Sequence, residues 1–154
     1  MEKNTLPSTI VEKDLNYYLR MIRGDFSEFE ETHPMKVQAS SSPKNIVILL
    51  TADKLGQGKA STGKRLLRFF FQSLINQQIY PRAVILTNSA VKLADPESEI
   101  YRSLVILEEQ NVRVLICVLS AEEYGLEDKI NLGVLSDMDS IVQNLLSAWK
   151  VITL

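Results

Sequence analysis

From residue 45 onward, short unbroken runs of apolar, largely β-branched residues alternate with stretches of helical length, and this pattern constrains the fold more than any other feature. A strand open to water on one side alternates polar and apolar residues, whereas an unbroken apolar run belongs to a strand covered on both faces. NIVILLTA (45–52), AVILTN (83–88), VRVLICVL (112–119), the shorter INLGVL (130–135) and VITL (151–154) are the strand candidates. Between them lie helix candidates: STGKRLLRFFFQSLINQQ (61–78), ESEIYRSLVILEEQ (97–110), a short AEEYGLEDK (121–129) and MDSIVQNLLSAW (138–149). Strands that alternate with helices pair in parallel through right-handed crossovers. The pattern therefore predicts an α/β, flavodoxin-like three-layer sandwich with a mainly parallel five-stranded sheet.

The segment ahead of this domain reads differently. In TIVEKDLNYYLRMIR (9–23), Thr9 and Glu12 have capping-box spacing and Gly24 is a natural stop. Val11, Leu15, Tyr18, Leu19 and Ile22 fall on one face, which predicts an amphipathic N-terminal helix that packs on the domain or on a second subunit. DFSEFEETHPMKVQASSSPK (25–44) mixes charge, Ser and Pro without periodicity and reads as a linker. Residues 1–43 are thus helix and linker, and 44–154 are the domain. His33, the only histidine, lies in the linker with no Cys beside it, and no metal site is expected.

Composition narrows the function classes. With 17 Lys+Arg against 19 Asp+Glu the net charge is −2, without the basic excess of a nucleic-acid binder. One basic cluster, Lys59, Lys64, Arg65 and Arg68, opens a predicted helix and reads equally as a solvated face or an anion site. No apolar run approaches the ~20 residues of a membrane-spanning helix. The N-terminus lacks the apolar core of a secretory signal. A single Cys makes no intramolecular disulfide. The expectation is a soluble, cytoplasmic protein with no cofactor and no contact with nucleic acid or membrane.

In an open parallel sheet, ligands bind beyond the carboxyl ends of the strands. The first strand delivers Thr51, Asp53, Gly56, Gln57 and Gly58 there, and the second delivers Asn88, Ser89 and Lys92. The third delivers Cys117 and Ser120, and the fourth segment Ser136 and Asp137. These residues predict a small polar pocket. Ser120 and Ser136 also precede predicted helices, where N-capping is the ordinary role of serine. Gly58 to Arg65, GKASTGKR, nearly matches the phosphate-loop pattern G-x-x-x-x-G-K-[ST] between a strand and a helix. Arg65 stands where the metal-binding hydroxyl is needed, and no later strand ends in the required Asp, so nucleotide hydrolysis is not expected. A plain anion preference at the helix start survives that objection.

Cys117 has two readings. A free Cys is commonly a small buried hydrophobe. Placed at a strand end before a helix N-terminus, it also has the setting of a nucleophilic thiolate. No His lies near enough in sequence to act as its base, which disfavours protease-type chemistry. Both readings of the thiol stay open on these grounds.

The segments NIVILLTADKLGQGKASTGKRLL, ILTNSAVKLA, NVRVLICVLSAEEYGL and INLGVLSDMDSIVQNL follow one another over 44–154. In that order they resemble DsrE-like proteins, in particular the C-terminal domain of YedF-type sulfurtransferase-like selenium metabolism proteins. The resemblance implies a five-stranded flavodoxin-like sheet that assembles as a homo-oligomer, with Cys117 at the position of the family's sulfur-carrying cysteine. It further implies donor and acceptor proteins for a persulfide sulfur, and a pocket in which Asn88, Ser89 and Lys92 line the sulfur, Ser120 donates to it, and Gly56 and Gly58 close the rim. Three departures qualify this. Cys117-Val-Leu-Ser120 replaces a Cys-Gly-Thr-Cys-like element, so a second thiol is missing. Ala90 replaces a turn glycine. The 43 residues ahead of the match contain no Cys and are too short for the TusA-like domain of YedF-type proteins. A binding or assembly module that keeps the fold without the chemistry is the alternative expectation.

Overall fold

A computed structural model describes residues 45–154, and the helix and linker expected over 1–43 lie outside the described residues. Five strands form one sheet: β1 (Ile46–Leu50), β2 (Ala83–Leu86), β3 (Arg113–Cys117), β4 (Val134–Ser136) and β5 (Lys150–Thr153). Their order is β4-β3-β2-β1-β5, and every neighbouring pair is parallel. Four helices join them: α1 (Ala60–Asn76), α2 (Tyr101–Glu109), α3 (Val118–Glu123) and α4 (Met138–Leu146), with a 3-10 helix over Asn88–Ala94. No described helix is long and apolar enough to cross a membrane.

The strand order sets which face each helix covers. The connections β1 to β2, β2 to β3 and β3 to β4 step in one direction, while β4 to β5 steps back across the sheet. Right-handed crossovers then put α1, α2 and α3 on one face and, among the described helices, only α4 on the other. The two cores agree. On the first face Ile48, Leu50, Val84, Leu86, Val114 and Ile116 pack with Leu67 and Phe71 of α1, Leu104 and Leu107 of α2, and Ala121 of α3. On the second, Val47, Ala83, Ile85, Leu115 and Cys117 pack with Ile141 of α4, and Leu49, Leu145 and Ala148 join them. Alternate residues of each strand serve opposite cores, which is why these strands are unbroken apolar runs.

Four of the strands end earlier than the apolar runs do, while β4 covers Val134–Ser136 against an expected 130–135. The run 112–119 stops being strand at Cys117, because Val118 and Leu119 already belong to α3. The helix expected over 97–110 starts only at Tyr101, and the 3-10 helix occupies a stretch read as a turn. At the far end of α4, Arg82 donates to the Asn144 carbonyl at 3.1 Å and to the Ser147 hydroxyl at 2.9 Å. A guanidinium on the last carbonyls of a helix satisfies orphan acceptors and complements the helix dipole.

Candidate functional site

Cys117 ends β3, next to the edge of the sheet, and is itself the N-cap residue of α3. Its side chain lies on the α4 face among Val47, Ala83, Ile85, Leu115 and Ile141, and only 3% of the residue is exposed. Beside it in register is Ser136 of β4, also buried, whose hydroxyl donates to the Val134 carbonyl at 3.0 Å. No side-chain hydrogen bond caps α3.

The polar residues beyond β1 and β2 gather on the other side, toward α1 and α3. Asn88 is the hub. Its backbone is left-handed (φ 51°), a conformation asparagine tolerates better than most residues. Its N–H donates to the Ser120 hydroxyl at 2.9 Å, and its side-chain oxygen accepts from the Tyr124 hydroxyl at 3.3 Å. One residue thus ties the first turn of α3 and its C-cap to the end of β2. The Lys92 ammonium sits 4.3 Å from the centre of the Tyr124 ring, a cation–π distance. Next along, the Asp53 N–H donates to the Ser89 hydroxyl at 3.3 Å, and the Asp53 carboxylate lies 3.9 Å from Lys64.

The loop after β1 folds back over the start of α1. Leu55 N–H donates to the Gly63 carbonyl at 3.1 Å, and a Cβ on Gly63 would stand 2.8 Å from the Leu55 carbonyl oxygen. Close backbone packing therefore accounts for the glycine of the near phosphate loop. Gly56 needs its glycine for a different reason, a positive φ of 77°, while a Cβ on Gly58 would meet open space. Thr51 turns away from this group: its hydroxyl donates to the Leu154 carbonyl at 3.4 Å, beyond β5.

A model of the DsrE/DsrF-like family matches residues 44–154. The chain belongs to this family. No curated protein matches it by sequence. Among solved structures it is similar to the YchN protein of E. coli, at 26% identity with a TM-score of 0.55, covering 72% of this chain and 99% of that one. It also shares its fold with MTH1491 of Methanobacterium thermoautotrophicum, described as a protein of unknown function, at 20% identity and a TM-score of 0.54, again over 72% and 99%. The all-parallel α/β sheet of this DsrE/DsrF-like domain agrees with those neighbours.

Within this DsrE/DsrF-like domain the expected pocket residues divide into two sets. Asp53, Asn88, Ser89, Lys92 and Ser120 come together, joined by Tyr124 and Lys64. Cys117, Ser136 and Asp137 lie toward α4. Two capping roles are corrected. Ser120 lies inside α3 and receives the Asn88 N–H, because the helix starts three residues earlier than the apolar run suggested. Ser136 is the last residue of β4, and Asp137 caps α4 by accepting the Ser140 N–H at 2.8 Å. Tyr124 was not picked out from the sequence, where it reads only as the aromatic ahead of a helix-ending Gly125; its role depends on the left-handed turn at Asn88.

The hydrogen bonds from the Ser140 side chain and backbone hold the Asp137 carboxyl below the usual carboxylate range. A lowered folded-state value stabilises the fold above the ordinary carboxylate range, and that contribution disappears as pH falls through the folded value. Asp137→Ala is expected to lower the melting temperature at neutral pH, with the gap to wild type closing in acid. Asp137→Asn, which still caps, is expected to lose less at neutral pH, and its difference from wild type drifts with pH as that of Asp137→Ala does, because both variants lack the titrating carboxyl. Thermal melts between neutral and acid pH measure both.

Proposed function

We propose that this domain is a sulfur-relay protein in which Cys117 accepts a sulfane sulfur from a donor persulfide and passes it to an acceptor. The observation carrying the reading is the place of the lone thiol, at the end of β3 and at the N-cap position of α3, in a chain of the DsrE/DsrF-like family. In the first step the Cys117 thiolate attacks the outer sulfur of the donor persulfide. A new S–S bond forms on Cys117, the donor's S–S bond breaks, and the donor leaves as a thiolate that takes up the proton lost by Cys117. The second step repeats this exchange with an acceptor thiol, and neither step changes the overall oxidation level.

The local backbone suits this chemistry. An N-cap side chain ordinarily accepts from the free N–H groups of the first helical turn, and a thiolate or persulfide is an acceptor of that kind. The hydroxyl of Ser120 is engaged by Asn88, so Asn88, Ser120 and Tyr124 act by holding α3 in place, and Lys92 adds positive charge at the rim. Ser89 and Asp53 fasten the loop carrying Gly56 and Gly58 to the same rim. Burial of Cys117 means that a donor reaches it only when its cover moves, and α4 is the single described helix on that face. The likeness to YedF-type proteins, a cytoplasmic location and assembly into a homo-oligomer belong to this same reading.

A second reading has an observation of its own. Cys117 sits in an apolar cluster, as a small core hydrophobe would. On that reading the domain is a binding or assembly module without sulfur chemistry. Transfer of label from radiolabelled cysteine through a cysteine desulfurase separates the two. Label bound to wild type and absent from Cys117→Ala is the expected result; equal labelling of the variant would sink the sulfur-carrier reading.

A further inference from the structure

Cys117 ends β3 and pairs with Ser136, the end of β4, and β4 is an outer strand of the sheet. Beyond that pair the chain turns into α3 on one face and α4 on the other. Leu119 and Met138, each two residues past it, therefore stand at the same corner of the sheet. Both are exposed, Leu119 to 63% and Met138 to 50%. Val134 and Leu135 of β4 are exposed as well. Parity puts Val134 on the α4 face, as partner of Leu115, and Leu135 on the α3 face, as partner of Ile116. An apolar surface thus wraps the edge of the sheet nearest the thiol. Exposed apolar residues gathered in this way mark an interaction site, unlike single ones.

Charge gathers around the same edge. Residues 114–149 contain Glu122, Glu123, Glu127, Asp128, Asp137 and Asp139 against Lys129 alone, a net −5 in a chain whose total is −2. Residues 54–68, toward α1, carry five basic residues and no acid, so the two signs are segregated. Leu119, Glu122 and Glu123 share one face of α3, at i, i+3 and i+4 spacing. The fold accounts for Asp137, which caps α4, but not for Glu122 and Glu123. Those two close α3, where a carboxylate opposes the helix dipole. Among the described residues none of the six acids forms an ion pair.

We propose that this corner is the docking surface for the protein that brings sulfur to Cys117, and that this partner presents a basic surface around an apolar centre. The proposal rests on the sulfur-relay reading and adds to it the chemistry of the partner. An apolar centre inside a polar rim is the usual anatomy of a protein interface. Opposite charge on the two rims steers the encounter and fixes its orientation. Leu119 and Met138 supply the contact that holds the partner. The patch borders both β4 and α4, so a protein seated on it bears on the elements that cover the thiol.

The test follows the intact mass of the full chain over time with cysteine and a limiting amount of a cysteine desulfurase. It is run at low salt and again at about 1 M, where the Debye length shrinks to about 3 Å. The double variant Glu122→Lys, Glu123→Lys is expected to load about tenfold more slowly than wild type at low salt, the scale on which steering acts. The gap closes at high salt. Glu109→Lys, the same kind of reversal at the far end of α2, loads like wild type. Leu119→Ser slows loading several-fold at both salts. All four chains take sulfur at similar rates from the persulfide of N-acetylcysteine amide, which needs no docking.

Equal loading of the double variant and wild type by the desulfurase would overturn the proposal, as would equal slowing by Glu109→Lys. So would loading of wild type by the small persulfide alone. A double variant whose sedimentation mass departs from wild type would give the patch to a contact between copies and overturn it too. A wild-type chain that takes sulfur from neither donor fails earlier, at the relay itself, and this proposal falls with it.

Discussion

Phe71→Ala is expected to lower the unfolding free energy by about 3–5 kcal/mol, the usual cost of truncating a fully buried phenylalanine. Phe71 lies in the middle of α1 with no exposed surface, and it meets Phe70 edge to face with ring centres 5.7 Å apart. It belongs to the core formed by the α1 face of the sheet, with Leu67, Ile48 and Leu50. Removal of the ring forfeits its transfer energy and leaves a cavity between helix and strands that rigid neighbours fill only in part. Domains of this size have about 5–15 kcal/mol in total, so a large share of the stability goes. Urea denaturation should show the midpoint falling with an unchanged slope. Leu66→Ala, on the exposed side of the same helix, should stay within about 0.5 kcal/mol.

Gly133→Ala is the second large effect, and it acts on the thiol as well as on stability. Gly133 has a φ of 74°, which costs an alanine about 1–2 kcal/mol. The new Cβ would also stand 2.8 Å from the Val114 carbonyl oxygen and 3.0 Å from the Ile116 side chain. Overpacking of that kind adds about 1–3 kcal/mol. The Gly133 N–H donates to the Glu108 carboxylate at 2.9 Å, so displacement there loosens a tie to α2 as well. β4 has three residues and pairs Ser136 with Cys117. Its retreat uncovers the thiol. Both a lower denaturation midpoint and faster alkylation of Cys117 by a bulky reagent are expected. Gly125→Ala is the control: φ there is 59° with open space around the Cβ, so the cost is the backbone term alone, and Cys117 keeps its wild-type alkylation rate.

The sheet was legible because its physics is local. Strand stretches buried on both faces have to be apolar at every position, and IVILL, AVIL and the VLIC of β3 announce that without any knowledge of their neighbours. Helix starts were less legible. Val118 and Leu119 are as apolar as the strand before them, so nothing in their type marks the change to α3 at Cys117. The three-residue earlier start of α3 moved Ser120 from an expected cap to a receiver of the Asn88 N–H. The candidate site was legible as a list of strand-end residues but not as a geometry. Whether a strand's last residue faces α3 or α4 depends on its parity within the strand and on the strand order. Cys117 shares parity with Leu115 and so faces α4, while Asn88, Ser89 and Lys92 fold over toward α3. Tyr124 entered only through the left-handed turn at Asn88, which has no signature beyond an asparagine after a strand.

The most direct measurement is the intact mass of the full chain after incubation with a cysteine desulfurase and cysteine, before and after cyanide treatment. One added sulfur atom per chain, located on Cys117 and removed by cyanide, is the expected result. A chain that gains no mass while the desulfurase turns over would contradict it and leave Cys117 as a packing residue of the α4-side core.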